Sequence, residues 1–215
     1  MRPVWHPSPN FGPRRDGLRP ELVVIHYTAM TGAGAALERL CDRQAEVSAH
    51  YLIGGDGTLW QLVEEAARAW HAGAGSWDGQ GDVNSRSIGI ELDNRGDHPF
   101  SEPQMAVLEA VLRGVMDRWG IAPGGVIAHS DMAPGRKCDP GPRFDWARLA
   151  RQGLAAPVGQ GAMPDRACPE AFRARARAAG YTAEVDDVAL LSAVRLRYRP
   201  GARGPLEPAD FAVLA

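Results

Sequence analysis

Three short apolar runs in this chain each carry, or lead to, a polar residue that can do chemistry. Residues 22–27 (LVVIHY) and 126–128 (VIA) are rich in β-branched side chains, which predicts buried strands. His26 lies near the end of the first run, and His129 directly follows the other. Residues 87–92 (SIGIEL) predict a further strand. Since side chains from separate strand ends can converge at one rim of a sheet, the pattern favours a polar site there.

Two further local signals surround these strands. An Asp56-Gly57 pair between apolar segments is typical of a tight hairpin turn. Ser101 and Gln104 fit an S-x-x-Q capping box, and the apolar residues after them recur at helical spacing. The other predicted elements are a helix at 35–41, strands at 48–53 and 58–63, a loop at 72–87 and a helix at 101–119.

By composition, the chain divides into two parts joined by a linker. Residues 153–165 (GLAAPVGQGAMPD) are rich in Gly, Pro and Ala without periodicity, which is typical of a linker. We therefore expect a main domain at 1–152, beginning with an extended arm, and a small helical module at 166–215. Helices are predicted in that module at 169–179 and 185–198. A piece of about fifty residues cannot build a large core alone.

Charge and hydropathy exclude several kinds of partner. The formal net charge is -2, with 24 basic against 26 acidic side chains, so the basic footprint of a nucleic-acid-binding protein is missing. No stretch approaches the ~20 apolar residues that a membrane span needs. The N-terminal segment lacks the apolar core of a secretory signal. We expect a cytoplasmic protein if Met1 is the true start, with the periplasm or cell envelope as the alternative, and the oligomeric state is not predicted.

The segment 126–140 (VIAHSDMAPGRKCDP) contains two residues of metal-ligand type. These are His129 and Asp139, and His26 is a third candidate at the end of an earlier strand. Two neutral imidazoles and a carboxylate make a three-ligand zinc site whose fourth position is open to water or substrate. The same ligands suit non-haem iron, so the neighbouring chemistry must decide between the two metals.

Two neighbouring residues favour hydrolysis. Glu91 lies in an apolar strand, where burial raises the pKa of a carboxyl group toward the useful range for a general base. Lys137 lies two residues before Asp139, so both can face the same side of an extended backbone. A cation there would stabilise the oxyanion formed when water attacks a carbonyl. Cys138, between them, is expected to point away from the metal.

The motifs VVIHYTA, VSAHYLI, AWHAG, NSRSIGIEL and AHSDMAPGRKCDPGPRFDW together resemble the zinc-dependent N-acetylmuramoyl-L-alanine amidases. That family is related to T7 lysozyme and the peptidoglycan recognition proteins, and the resemblance covers residues 4–150. It implies an α/β fold of the α+β type, with a mixed central sheet flanked by helices. It also implies cleavage of the amide between N-acetylmuramic acid, or its anhydro form, and L-alanine of the stem peptide. The substrates would be muropeptides or peptidoglycan, in wall recycling or remodelling.

The resemblance also implies a role for individual residues. One zinc ion per chain would be held by His26, His129 and Asp139. Glu91 would be the base that activates water, and Lys137 would stabilise the tetrahedral intermediate. T7-like and recognition-protein members often carry a cysteine where this chain has Asp139. The aspartate therefore favours the bacterial branch that acts on anhydro-muropeptides.

Seven further residues in or near these motifs are candidate substrate contacts. They are Tyr27, His50, Trp70, His71, Asn84, Arg86 and Arg136. The guanidinium of Arg136 can meet a carboxylate of the stem peptide, because guanidinium groups pair well with planar anions.

Other functions stay open at this point. A peptidoglycan recognition module would bind without cutting, but it is expected to lack a ligand, the base or the lysine. A phage-type lysin would share the chemistry and differ in deployment, whereas an iron oxygenase suits Glu91 and Lys137 poorly. The C-terminal segment ALLSAVRLRYRPG resembles a small helical peptidoglycan-binding module. The alternative is a helical appendage packed on the main domain.

Overall fold

The computed structural model of the protein describes residues 2–214. The strands are β1 (Val4–Trp5), β2 (Phe11–Gly12), β3 (Leu22–Tyr27), β4 (Tyr51–Ile53), β5 (Leu59–Gln61), β6 (Arg68–Ala69), β7 (Ser87–Leu92) and β8 (Val126–Ala128). The α-helices are α1 (Ala33–Cys41), α2 (Val83–Arg86), α3 (Glu102–Trp119), α4 (His129–Met132), α5 (Trp146–Arg151), α6 (Pro169–Ala178), α7 (Asp187–Tyr198) and α8 (Ala209–Ala212). Single turns of 3-10 helix lie at Arg43–Ala45 and Pro123–Gly125.

Six of the strands form one mixed sheet in the order β1-β5-β4-β7-β3-β8. Strand β3 lies between β7 and β8 and runs parallel to both. Strand β4 is parallel to β7 and antiparallel to β5, which confirms the hairpin predicted at Asp56-Gly57. In the parallel register His26 of β3 lies beside Glu91 of β7. The expected fold, a mixed central sheet flanked by helices, is confirmed.

Helix α3 covers one face of this sheet. Its residues Met105, Leu108 and Leu112 are buried in a cluster with Val23 and Ile25 of β3. The apolar stripe read from the sequence is therefore the core-facing side of the helix, as predicted. This packing holds the long central strand from one side and leaves the other face for the site.

The start of α3 differs in one respect from a full capping box. The Ser101 hydroxyl oxygen accepts a hydrogen bond from the Gln104 backbone N–H at 3.3 Å, as predicted. The Gln104 side chain does not return to Ser101. It donates instead to the backbone carbonyls of Ile53 and Asp93 at 2.8 and 3.1 Å. The helix is thereby tied to the ends of β4 and β7, at the rim where the polar site was expected.

The opposite face of the sheet carries the C-terminal helices. Val24 of β3 and Ile127 of β8 are buried in one cluster with Phe172 of α6 and Val194 of α7. Because alternate residues of a strand point to opposite faces, His26 shares this face with Val24. The candidate site therefore lies on the side of the sheet where the C-terminal helices pack.

The segment predicted as a linker, 153–165, contains neither helix nor strand. Leu154 at its start is buried with the α3 cluster. Further on, the backbone N–H of Gly159 donates to the carbonyl of Val213 at 3.1 Å. The domain boundaries stay predictions, and their outermost residues, 1 and 215, lie outside the described part of the chain.

Several local predictions differ from the structure. The predicted loop at 72–87 ends in helix α2 and the first residue of β7, and the helix α4 directly after β8 was not predicted. The predicted strand at 48–53 begins only at β4, and the predicted arm contains β1 and β2. These elements have two to four residues each, which is too short to show an apolar period. Within residues 2–214, no helix has both the length and the apolarity to cross a membrane.

Candidate active site

Three side chains converge at the rim of the sheet. The Nδ1 atoms of His26 and His129 lie 2.8 Å apart, and each lies 3.0 Å from Oδ2 of Asp139. All three residues are buried. They are the group of His, Cys, Asp and Glu residues in the described chain whose ligand atoms approach closely enough to hold a metal ion. The structure thus brings together the three predicted ligands.

The local fold explains how these residues meet. His26 is near the end of β3, and His129 begins α4 directly after the neighbouring strand β8. Asp139 returns to the same place because the Ser130 backbone N–H donates to the Asp139 carbonyl at 3.0 Å. The loop between α4 and Asp139 is therefore closed on itself beside the rim.

The hydrogen-bond partners assign the proton on His129. Its Nε2 lies 2.9 Å from the backbone carbonyl oxygen of Ala72. A carbonyl only accepts, so Nε2 carries the hydrogen and donates it. In the neutral ring, Nδ1 is then an unprotonated acceptor directed at the other two side chains.

A chain of contacts assigns the proton on His26 as well. The Ser87 hydroxyl lies 2.5 Å from the carbonyl of Val83, to which it must donate, so its oxygen accepts from Nε2 of His71 at 3.2 Å. Nδ1 of His71 is then an acceptor, and it receives the hydrogen of His26 Nε2 at 3.0 Å. It follows that Nδ1 of His26 is also an unprotonated acceptor.

This assignment tests whether the residues fit a metal. Burial, followed by the charge of His129, lowers the pKa of His26 to about 4, so its ring is neutral at physiological pH. With both rings in these neutral tautomers, two imidazole lone pairs and one carboxylate oxygen face each other at about 3 Å. Such an arrangement is repulsive unless a cation lies among the three atoms. Neutral imidazole and carboxylate are the ligands zinc takes, and a second hydrogen bond on each imidazole is typical of metal ligands.

Glu91 is the one further carboxylate beside this group. Its Oε2 is buried and has no hydrogen-bond partner among the described residues. Burial and the nearby charge of Asp139 raise the pKa of Glu91 to about 8, although Lys137 opposes the shift. A carboxyl group held near neutrality in this way can accept a proton from water and return it.

A cavity of about 390 Å³ opens over the group. The three candidate ligands, Glu91 and Lys137 line it. Lys137 is itself exposed, which leaves its ammonium free to meet a substrate. A larger cavity of about 520 Å³ lies elsewhere on the surface, where the carboxylate of Glu65 is already bound by Tyr51, Arg118 and Trp119. The smaller cavity is the one that the predicted ligands, Glu91 and Lys137 line.

Four of the seven candidate substrate contacts line the cavity. They are Tyr27, Trp70, His71 and Arg136. The Nη2 atom of Arg136 donates to the backbone carbonyls of Ala72 and Ala74, so the guanidinium is held at the mouth by the 72–74 segment. His71 is buried, and its Nδ1 lies within hydrogen-bonding distance of Nε2 of His26, one of the three candidate metal ligands.

The structure does not bring the other three candidates to the cavity. His50 is fully buried, where its Nδ1 accepts from the Gly89 backbone N–H at 2.9 Å. The Asn84 carbonyl oxygen accepts from the backbone N–H groups of His71 and Ala72. Arg86 is buried and donates to Glu21 and to the carbonyls of Trp77 and Gln80. Their polar atoms bind the protein itself, and none of the three lines the cavity.

Cys138 also lines the mouth of the cavity. The structure places its Sγ 3.1 Å from the Tyr27 hydroxyl, outside the His–His–Asp group. The sequence interpretation missed Arg39 of α1 and Met30 before it, which also line the cavity. It also missed Ser87, although the NSRSIGIEL motif contains it. No spacing rule links Ser87 to His26, because their connection runs through His71.

The fold and the site together define a candidate metal-dependent hydrolase of the α/β class. The sequence model of the N-acetylmuramoyl-L-alanine amidase family matches residues 16–142. That match spans more than half of the chain, and the chain belongs to this family. The resemblance read from the motifs is thereby confirmed.

Two curated relatives from Escherichia coli illustrate the similarity. The chain is 42% identical over 154 residues to the N-acetylmuramoyl-L-alanine amidase AmiD, a match covering 64% of this chain and 55% of that protein. It is 37% identical over 160 residues to the 1,6-anhydro-N-acetylmuramyl-L-alanine amidase AmpD, covering 66% of this chain and 87% of AmpD. The match thus spans about half of AmiD and most of AmpD.

Solved structures agree with the fold. The complex of E. coli AmiD with anhydro-N-acetylmuramic acid-L-Ala-D-gamma-Glu-L-Lys has a TM-score of 0.82 at 31% identity, covering 93% of this chain and 89% of that one. Pseudomonas aeruginosa AmpDh3 has a TM-score of 0.80 at 29% identity, covering 93% and 91%. Coverage of 93% means that the similarity continues through most of the C-terminal region.

Proposed function

We propose that this chain hydrolyses the amide between the lactyl group of N-acetylmuramic acid, or its anhydro form, and L-alanine of muropeptides. One zinc ion would be held by His26, His129 and Asp139. The observation that carries the proposal is the triangle of unprotonated acceptors beside Glu91, whose buried Oε2 has no partner among the described residues. The family membership and the muropeptide bound in the AmiD complex support the choice of substrate.

Each residue has a defined part in the proposed reaction. Bound zinc supplies Lewis acidity, which makes water a better nucleophile near neutral pH. Glu91 takes a proton from the water whose oxygen attacks the lactyl carbonyl carbon. Lys137 stabilises the negative charge that forms on the carbonyl oxygen. The proton on Glu91 then passes to the alanine nitrogen as the C–N bond breaks, which leaves a carboxylic acid and a free amine that ionise to carboxylate and ammonium.

The neighbours of the metal group favour zinc over iron. Glu91 and Lys137 are suited to proton transfer and to oxyanion stabilisation, both of which belong to hydrolysis. Neither group offers anything to oxygen activation at iron. A module that only binds peptidoglycan would have no use for a carboxyl group whose pKa is raised to about 8 beside the metal group.

The first experiment combines metal analysis with mass spectrometry of reaction products. Purified protein is given the MurNAc and anhydroMurNAc forms of L-Ala-D-γ-Glu-L-Lys, and the products should be the sugar acid and the free tripeptide. Glu91→Gln should keep its zinc and lose at least about 100-fold in kcat, because proton transfer by a positioned side chain contributes about that much. If the wild type bound zinc but cleaved neither substrate, the alternative function of a peptidoglycan-binding module would be favoured. Wild-type turnover by Glu91→Gln would remove Glu91 from the mechanism.

A further inference from the structure

Helix α4 carries two buried polar residues that face different surroundings. His129 faces the metal group, whereas Asp131 points toward the C-terminal helices. One oxygen of Asp131 accepts from the Tyr181 hydroxyl at 2.7 Å. The other accepts from Nη1 of Arg197 at 2.7 Å and from the Ala128 backbone N–H at 2.8 Å. The carboxylate is fully buried, so these donors replace all of its water.

Arg197 holds both sides of the turn that delivers His129. While Nη1 binds Asp131 in α4, Nη2 donates to the backbone carbonyl of Val126 in β8 at 3.1 Å. One guanidinium therefore spans the passage from strand to helix. The group is itself held in place, since it stacks over the ring of Trp146 with its central carbon 4.1 Å from the centroid.

The length of α4 makes this anchoring necessary. The helix has only four residues, which is too short to be stable by its own hydrogen bonds. Its orientation decides where Nδ1 of His129 points. Backbone hydrogen bonds of Ser130 and Met132 and the bond of His129 Nε2 to Ala72 hold the helix on one side. Asp131 holds it on the other, and two of its three donors come from beyond residue 165.

We propose that Arg197 and Tyr181 are positioning residues for the metal centre. They hold Asp131, and through it the α4 helix, in the orientation that aims His129 at the metal. The inference rests on the proposed metal site. It gives residues 166–214 a part in building the active site, instead of the separate peptidoglycan-binding role that their sequence suggests.

A neighbour on the same helix offers a matched control. Arg195 is also buried in α7 and paired with a buried carboxylate, Asp210, at 2.6 Å. Its other donors bind the carbonyls of Gly204 and Pro205, so none of these contacts involves α4. Replacing Arg195 or Arg197 by Met removes an ion pair from the same helix. Only the second change touches the segment that carries His129.

The experiment measures zinc affinity by competition with a chelator, on full-length chains kept well below their unfolding temperatures. Arg197→Met should weaken zinc binding about 10- to 100-fold, the usual effect of removing support behind a ligand. Arg195→Met should stay within about 3-fold of the wild type. Hydrogen exchange of the zinc-free proteins should show faster exchange at residues 129–132 in Arg197→Met alone. Tyr181→Phe, which removes one hydroxyl, provides the milder test if Arg197→Met does not fold.

The outcomes separate this inference from the proposed function. A wild-type chain that binds no zinc would overturn the metal site, and the inference would fall with it. A wild-type chain that binds zinc, with Arg197→Met and Tyr181→Phe unchanged in affinity and in exchange at 129–132, would overturn the inference alone. Equal weakening by Arg195→Met and Arg197→Met would also overturn it, since general loosening of the C-terminal helices would explain both.

Discussion

Two buried polar clusters lie on either side of the α4 helix, and they are built in opposite ways. Around Asp131, each carboxylate oxygen meets a donor, and the charge of Arg197 balances its own. Around His129, acceptors face acceptors, and the nearby Glu91 has a buried oxygen without a partner in residues 2–214. His26, His129 and Asp139 are buried, as Asp131 and Arg197 are, so burial alone does not distinguish the two clusters.

The difference teaches which cluster serves the fold and which serves a ligand. Buried polar groups in folded proteins are nearly always hydrogen-bonded, because an unpaired group costs free energy. A cluster that breaks this rule with several acceptors at once needs a partner from outside the chain. The Asp131 carboxylate is fully paired without a ligand, although Nε of Arg197 beside it has no acceptor among the described residues. The acceptors of the His129 cluster, in contrast, gain a partner only with a cation.

The largest expected effect tests the cluster around His129. Asp139→Asn replaces a charged ligand by a neutral amide of the same shape, so zinc affinity should fall by more than about 100-fold. Because the change also removes one of three mutually repelling acceptors, the zinc-free variant should be at least as stable as the zinc-free wild type. Chelator competition and denaturant unfolding measure the two effects.

Two further variants are to be compared with Asp139→Asn. Cys138→Ser changes the adjacent residue, whose Sγ contacts Tyr27, and should keep zinc affinity within about 3-fold. Asp131→Asn should lose about 3 kcal/mol of stability with or without zinc, because it leaves Arg197 buried without its counter-charge. If Asp139→Asn instead destabilised the zinc-free protein as much as Asp131→Asn does, the two clusters would not differ as described.

The cluster around His129 could largely be predicted from the sequence, whereas the cluster around Asp131 could not. His26 and His129 follow from apolar runs that end in a histidine, and the parallel register then brings Glu91 beside His26. Nothing in the local sequence joins Asp131 to Arg197, which follows 66 residues later. Contacts of that kind depend on how two helices pack on a sheet, which no local pattern encodes.

The motifs do not show which of their residues line the cavity, whereas the structure does. His50 and Asn84 belong to the same motifs as the residues lining the cavity, yet their polar atoms bind backbone groups. A motif marks residues that are needed near a site, and it does not tell a substrate contact from a support. The separation requires knowing where each hydrogen bond goes.

The next effect concerns the pH dependence of stability in the zinc-free protein. The pKa of Glu91 is raised to about 8 by burial and Asp139, against an ordinary 4.5 in the unfolded chain. Between these values the unfolded state binds fewer protons, so the free energy of unfolding falls as pH rises from about 4.5 to 8. Glu91→Gln has no carboxyl group to titrate and should not lose this stability. Near pH 8 its free energy of unfolding should therefore exceed that of the wild type by at most roughly 4 kcal/mol. Denaturant unfolding from pH 5 to 8.5 measures it.

A second buried carboxylate provides the control of opposite sign. Burial alone would raise the pKa of Glu65, but the hydrogen bonds of Arg118 and Tyr51 outweigh it and hold the pKa below its ordinary value. Its contribution is therefore present above the unfolded pKa and is lost as pH falls. Glu65→Gln should lose stability relative to the wild type at neutral pH. The same sign for both variants would contradict the contrast between partnered and unpartnered carboxylates.

The smallest expected effect concerns His71, whose Nδ1 accepts the hydrogen of His26 Nε2. His71→Phe keeps an aromatic ring over Gly89 but removes the acceptor of His26 Nε2, so zinc affinity should fall about 10-fold. Ser87→Ala, one contact further away, should cost less. His50→Phe makes the same change in a buried histidine that does not touch His26, and should leave zinc affinity unchanged. If His50→Phe and His71→Phe weakened zinc binding equally, altered packing would explain both effects. The hydrogen bond from His26 to His71 would then not be needed for metal binding.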